Sequence, residues 1–228
     1  MGDVQAVILR SSIMQRSSVV RFGWIMATVL MLGGLVGLGP AQAQQGYQVL
    51  DTPQSTDASE GAVEVREFFS YGCPHCADFE PRLSEWTSEM GDRVEVVHTP
   101  VTFGRESWAV LARAYYAAQA LDILDQTHTA LFEAIHDEGR AFSSNEDVAA
   151  FYASVADVTE ADVLSAMNSF AVNTQLDRGE RLVNAYRIPG TPAMGVAGKY
   201  LIDAREAGGQ QGMLDVAESL VVEENGDQ

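Results

Sequence analysis

The sequence predicts an α/β fold in which one sheet is drawn from two separated stretches of chain, with an all-helical block inserted between them. Three observations carry this expectation. Strand-like composition brackets a helical period between residues 62 and 98, helical signals alone fill the stretch from Ser107 to Tyr186, and the break Ile188-Pro189-Gly190-Thr191-Pro192 is followed by a hairpin pattern.

The elements follow in order. Residues 44 to 61 are polar and form a leading arm, with one short strand candidate at Tyr47-Gln48-Val49-Leu50. Ala62 to Tyr71 has the β-branched and aromatic content of a strand and ends at Gly72, directly before Cys73-Pro74-His75-Cys76. Phe79, Leu83 and Trp86 then recur at helical spacing, which places Cys73 at the amino end of a helix running to about Met90 and bent by Pro81. Val94 to His98 reads as a second strand closed by Pro100, completing a βαβ unit.

The helical block holds an Ala-rich segment from Trp108 to Leu124, a second from Thr127 to Glu138 and a third capped near Ser144. A fourth opens on the capping-box-like Thr159-Glu160-Ala161-Asp162, and a longer helix runs from about Ser169 to Tyr186. Ala193 to Val196 and Lys199 to Ile202 flank a turn at Ala197-Gly198 as a hairpin, and a last helix near Gly212 to Val222 covers the sheet.

Ahead of this domain, Arg10, Arg16 and Arg21 precede an apolar run from Trp24 to about Leu38 and then Ala41-Gln42-Ala43, the shape of a secretory signal peptide cleaved after Ala43. A retained membrane anchor is the competing reading, since the run nearly spans a bilayer. The expected organisation is therefore a leader at 1–43 and one domain at 44–228, with a helical insertion at about 104–187. The whole chain carries 14 basic and 32 acidic residues; without the leader 11 and 31 remain, a net charge of −20. Such a surface repels nucleic acid and anionic lipid, which excludes both as partners.

Two cysteines in an exported chain could form a structural staple, but a bridge between Cys73 and Cys76 closes so short a loop that it restrains the unfolded chain little. Zinc is disfavoured because His75 and the distant His98 supply no second close pair of ligands. A redox pair fits best. A thiolate at a helix amino terminus is stabilised by unpaired N–H groups and the dipole, so Cys73 is expected to be exposed and reactive, and Cys76, one turn inward, to be the partly buried resolving thiol. His75 can donate a hydrogen bond or positive charge to the Cys73 sulfur, making the disulfide a stronger oxidant. His128 and His136 are assigned to surface or satisfied packing roles. Glu67 lies in a strand rich in apolar and aromatic residues, where alternation can turn it inward as a proton relay to Cys76, or it pairs with an arginine at the sheet edge. Thr191-Pro192 sits where proline makes either an ordinary turn or a cis bond; a cis bond leaves the Thr191 backbone free to pair with an extended substrate.

Glu67-Phe68-Phe69-Ser70-Tyr71-Gly72-Cys73-Pro74-His75-Cys76 resembles the active-site segment of the DsbA family. Gly190-Thr191-Pro192-Ala193-Met194 and Gly198-Lys199-Tyr200 resemble its cis-proline loop and following hairpin, and Asn168 to Val172 its late helical segment. The likeness runs from about Val63 to Leu201. It implies a thioredoxin fold with an inserted all-helical domain, consistent with Pro192 lying 116 positions after Cys76. It also implies a periplasmic oxidoreductase that donates the Cys73/Cys76 disulfide to reduced or unfolded exported proteins and is reoxidised by a DsbB-type quinone-linked membrane oxidase. A low thiol pKa and an oxidising potential come with the family. Two departures stand out: Thr191 replaces the valine many members carry there, and His98 lies in the region where the family often places a lysine.

Three functions compete. The first is a monomeric dithiol oxidase without metal or organic cofactor. The second, kept open by Thr191, is a periplasmic disulfide reductase or isomerase held in the reduced state. The third is a non-catalytic binding domain whose bridge is buried and inert.

Overall fold

The computed structural model describes residues 45–226; the expected leader and its cleavage site fall outside the described residues. In chain order the elements are β1 (Gln48–Val49), β2 (Val63–Phe69), α1 (Pro74–Met90), β3 (Val94–Pro100), α2 (Glu106–Ala120), α3 (Leu124–His136), α4 (Asn145–Val155), α5 (Glu160–Met167), α6 (Phe170–Tyr186), β4 (Ala193–Val196), β5 (Tyr200–Asp203) and α7 (Gln210–Gly226). The strands form one sheet in the order β1-β5-β4-β2-β3. β2 pairs parallel with β3 and antiparallel with β4, so the two halves of the sheet meet on the strand that leads into the cysteines. This is the thioredoxin-like arrangement, with α2 to α6 between β3 and β4.

The caps explain where the helices of the block begin. Ser144 and Thr159 each make a reciprocal capping box, with Asp147 and Asp162 respectively, and the Ser169 hydroxyl accepts from the Val172 N–H. Each such cap contributes about 1 kcal/mol. α2 stops at Ala120, short of the expected Leu124, because Asp122 turns the chain at φ 58° before α3 starts.

Strand alternation sorts β2 between two faces. Val63 and Val65 pack with Phe79, Leu83, Trp86 and Met90 of α1 and with Met213, Ala217 and Val221 of α7. Phe68 faces the other way, onto Val183 and Tyr186 of α6. The helical block has its own core, built on residues such as Leu131, Phe151, Tyr152 and Met167, and Phe69, Tyr71, Cys73 and Cys76 join that core rather than the sheet's. The cysteines thus sit on the seam between sheet and helical block, and Glu67, in phase with Val65, is turned toward α1.

Candidate active site

Cys73 is the N-cap residue of α1, and Pro74 occupies the first turn, where its missing N–H costs no hydrogen bond. The Cys76 thiol donates to the Cys73 sulfur and lowers its pKa most; burial opposes this, and the Thr191 side chain and the backbone N–H groups of Cys76 and His75 act with Cys76 to bring Cys73 to about 5. Cys76 is wholly buried, and burial pushes its thiol far up, with the charge of Glu67 adding to the effect. Two thiols three residues apart are thereby driven in opposite directions by their surroundings.

The structure covers Cys73 more than the sequence suggests: only 7% of the residue is exposed. The reason is tertiary. The loop before β4 lies across it, and the Cys73 thiol donates to the Thr191 carbonyl at 3.5 Å. The Thr191-Pro192 bond is cis. On the other side Trp108 packs so closely on Gly72 that a Cβ there would stand 2.7 Å from the indole Nε1. Cys73 lines a groove of about 590 Å³ together with Phe103, Arg105, Trp108, Ile188 and Pro189. The Arg105 guanidinium lies 4.4 Å from the centre of the Trp108 ring.

His75 does not present its ring to the sulfur. The side chain is 75% exposed, with Nδ1 4.0 Å from Asp78, and only its backbone N–H acts on Cys73. Its carbonyl accepts from Gln210 of α7 at 2.7 Å, which ties the motif to the last helix.

Glu67 is 1% exposed and stands directly opposite His98 in the parallel β2–β3 register, with Oε2 2.8 Å from His98 Nδ1. The arginine partner considered for it is absent: Arg66, on the opposite face, takes Glu64 and Asp57 instead. Burial pulls the His98 pKa down, but the hydrogen bond to Glu67 and the charges of Glu67 and Glu80 outweigh it and leave His98 above its ordinary value. His136 is satisfied, with Nε2 2.7 Å from the Tyr71 carbonyl oxygen.

His128 is more than a packing residue. Its Nδ1 lies 2.7 Å from the Tyr71 hydroxyl and its Nε2 3.3 Å from Glu80, and its ring is surrounded by Phe69, Tyr71, Tyr115 and Phe132. Burial raises the Glu80 carboxyl, yet the contact with His128 and the charges of His128 and His98 hold it below the usual carboxylate range. Glu80 could have been suspected from its place seven residues after Cys73, two turns along the same helix face. Nothing local marks His128.

The DSBA-like thioredoxin domain family matches residues 64–218. The chain is 35% identical over 188 residues to the thiol:disulfide interchange protein DsbA of Azotobacter vinelandii, covering 82% of this chain and 87% of that protein. It is 34% identical over 204 residues to the protein of the same name from Pseudomonas aeruginosa strain PAO1, covering 88% and 95%. The crystal structure of Pseudomonas aeruginosa DsbA superposes with a TM-score of 0.74 at 35% identity over 80% of this chain and 93% of that one, and the Xylella fastidiosa oxidoreductase DsbA with 0.73 at 30% identity over 79% and 95%. With its motif, its fold and these relatives in agreement, the chain belongs to the DsbA family of thiol-disulfide oxidoreductases.

Proposed function

We propose that this chain is a dithiol oxidase of the periplasm, which donates the Cys73/Cys76 disulfide to newly exported proteins. The observation that carries the reading is the asymmetry of the pair: Cys73 at a helix start beneath the Thr191-Pro192 loop, Cys76 sealed above Glu67. A substrate thiolate attacks the Cys73 sulfur of the oxidised pair, the Cys73–Cys76 bond breaks, and Cys76 leaves as a thiolate. Because burial disfavours that thiolate, it takes up a proton, which in this reading comes from the Glu67–His98 pair; the action of the Glu67 charge on Cys76 supports this. A second substrate thiolate then attacks the substrate sulfur of the mixed disulfide, and Cys73 departs as a thiolate stabilised by Cys76, Thr191 and the helix start. Two electrons pass from substrate to protein, and the step needs no metal or organic cofactor.

The groove beside Cys73 and the free edge of the Thr191 loop suit an extended, unfolded segment of substrate. In this reading Pro74 and the His75 backbone shape the helix start, residues 1–43 direct export and end in cleavage after Ala43, the mature domain with its helical insertion works as a monomer, and a DsbB-type quinone-linked membrane oxidase restores the disulfide. Stoichiometric oxidised protein is expected to introduce disulfides into a reduced, denatured substrate, with Cys73→Ser inactive. No gain of substrate disulfides would overturn the reading.

A further inference from the structure

Beneath α1, three side chains from three elements converge: Glu80 of α1, His98 of β3 and His128 of α3, with one ligand atom of each lying within 4.8 Å of the others. Both imidazoles are held through Nδ1, His98 by Glu67 at 2.8 Å and His128 by the Tyr71 hydroxyl at 2.7 Å, which leaves the Nε2 atoms to serve a ligand. Holding one ring nitrogen on a carboxylate or hydroxyl is how metal-binding histidines are oriented. Glu80 Oε2 and His128 Nε2 are buried and make no hydrogen bond among the described residues, although they stand 3.3 Å apart. Neighbouring ligand atoms of a tetrahedral zinc ion, at bond lengths of about 2.0–2.1 Å, are separated by about 3.3–3.4 Å.

We propose that Glu80, His98 and His128 form a site for one divalent cation of the zinc class, with three protein ligands and an open fourth position. Two imidazoles and a single carboxylate suit zinc, whereas calcium and magnesium call for oxygen ligands throughout. Glu80 also lines a groove of about 860 Å³ between α1 and α3. Histidine and carboxylate ligands bind a cation in their deprotonated forms, so affinity rises with pH. The ion takes no part in the disulfide step. It withdraws His98 from the proton path beside Cys76, so occupancy slows that step.

The test uses the oxidised protein, in which the closed Cys73–Cys76 disulfide cannot ligate. Titration with Zn²⁺ by calorimetry, and with Co²⁺ by visible absorption, is expected to show one tight ion per chain, proton release, and cobalt bands without thiolate charge transfer. Glu80→Gln and His128→Asn, each checked for native circular dichroism, are expected to weaken binding by at least about tenfold. Absence of a tight ion in the oxidised protein, or unchanged affinity in whichever variant folds, overturns the proposal. The disulfide assay is run on metal-free protein, so the oxidase reading stands or falls separately.

Discussion

Strand β2 carries a buried charged cluster on each of its faces, and the two are made of different chemistry. Toward α6, Arg66 binds Glu64 at 3.0 Å, Asp57 at 2.9 Å and Thr99 at 2.8 Å, and Arg178 adds a second guanidinium on Asp57. A guanidinium does not give up its proton, so this charge is permanent, and it fastens the leading arm and α6 to the sheet. Toward α1, Glu67 pairs with His98 and Glu80 with His128, carboxylates with imidazoles, whose ring nitrogens can both donate and accept a proton. One face holds its charge; the other is the proposed route for a proton to Cys76. Because the period of a strand is two, a slip of one residue would exchange the two clusters.

Breaking the fixed cluster has the largest expected effect. Arg66→Ala leaves Glu64 buried without its partner and is expected to lower stability by about 3–5 kcal/mol in denaturant unfolding, while the fraction that remains folded keeps its disulfide activity.

The movable side is tested next through pH. Cys73 has a pKa of about 5 against 9.0 for an ordinary thiol, so its thiolate stabilises the reduced folded state. That contribution is complete above the unfolded value, falls as pH drops, and is lost below about 5. With allowance for solvent screening, the reduced protein is expected to exceed the oxidised one by about 2 kcal/mol at pH 7, with a gap that closes toward pH 5. A gap that widens on acidification would contradict the assignment.

Glu67→Gln removes the carboxylate that holds His98 and whose charge acts on Cys76, and substrate oxidation is expected to slow by about tenfold or more and to lose its pH dependence near neutrality. Thr191→Val deletes one hydrogen bond to the Cys73 thiolate; the midpoint of Cys73 alkylation is expected to rise by about one pH unit with the fold unchanged.

Much of this was legible in the sequence where the cause is local. Caps at Ser144 and Thr159, the helix beginning near Ser169, the strand before Gly72, the helix start at Cys73 and the hairpin after Pro192 depend on neighbours within a few residues, and the structure places each close to its expected position. The inward turn of Glu67 was one of the two readings that strand alternation left open. Its partner did not, because His98 meets it only through the parallel register of β2 and β3. The role of His128 was out of reach for the same reason: it arrives on α3, packed against α1 by a core that spans the helical block. The covering of Cys73 depends on a loop 118 residues away. The ring of His75 points to solvent, and what the motif contributes at that position is the backbone N–H of the first helical turn, which any residue but proline would offer.

The most direct test of the central claim is the equilibrium of the Cys73/Cys76 pair against glutathione. A buried, disfavoured Cys76 thiolate and a stabilised Cys73 thiolate predict a readily reduced pair, so the dithiol should predominate even with oxidised glutathione in excess. A pair that stays oxidised until reduced glutathione dominates would contradict the account.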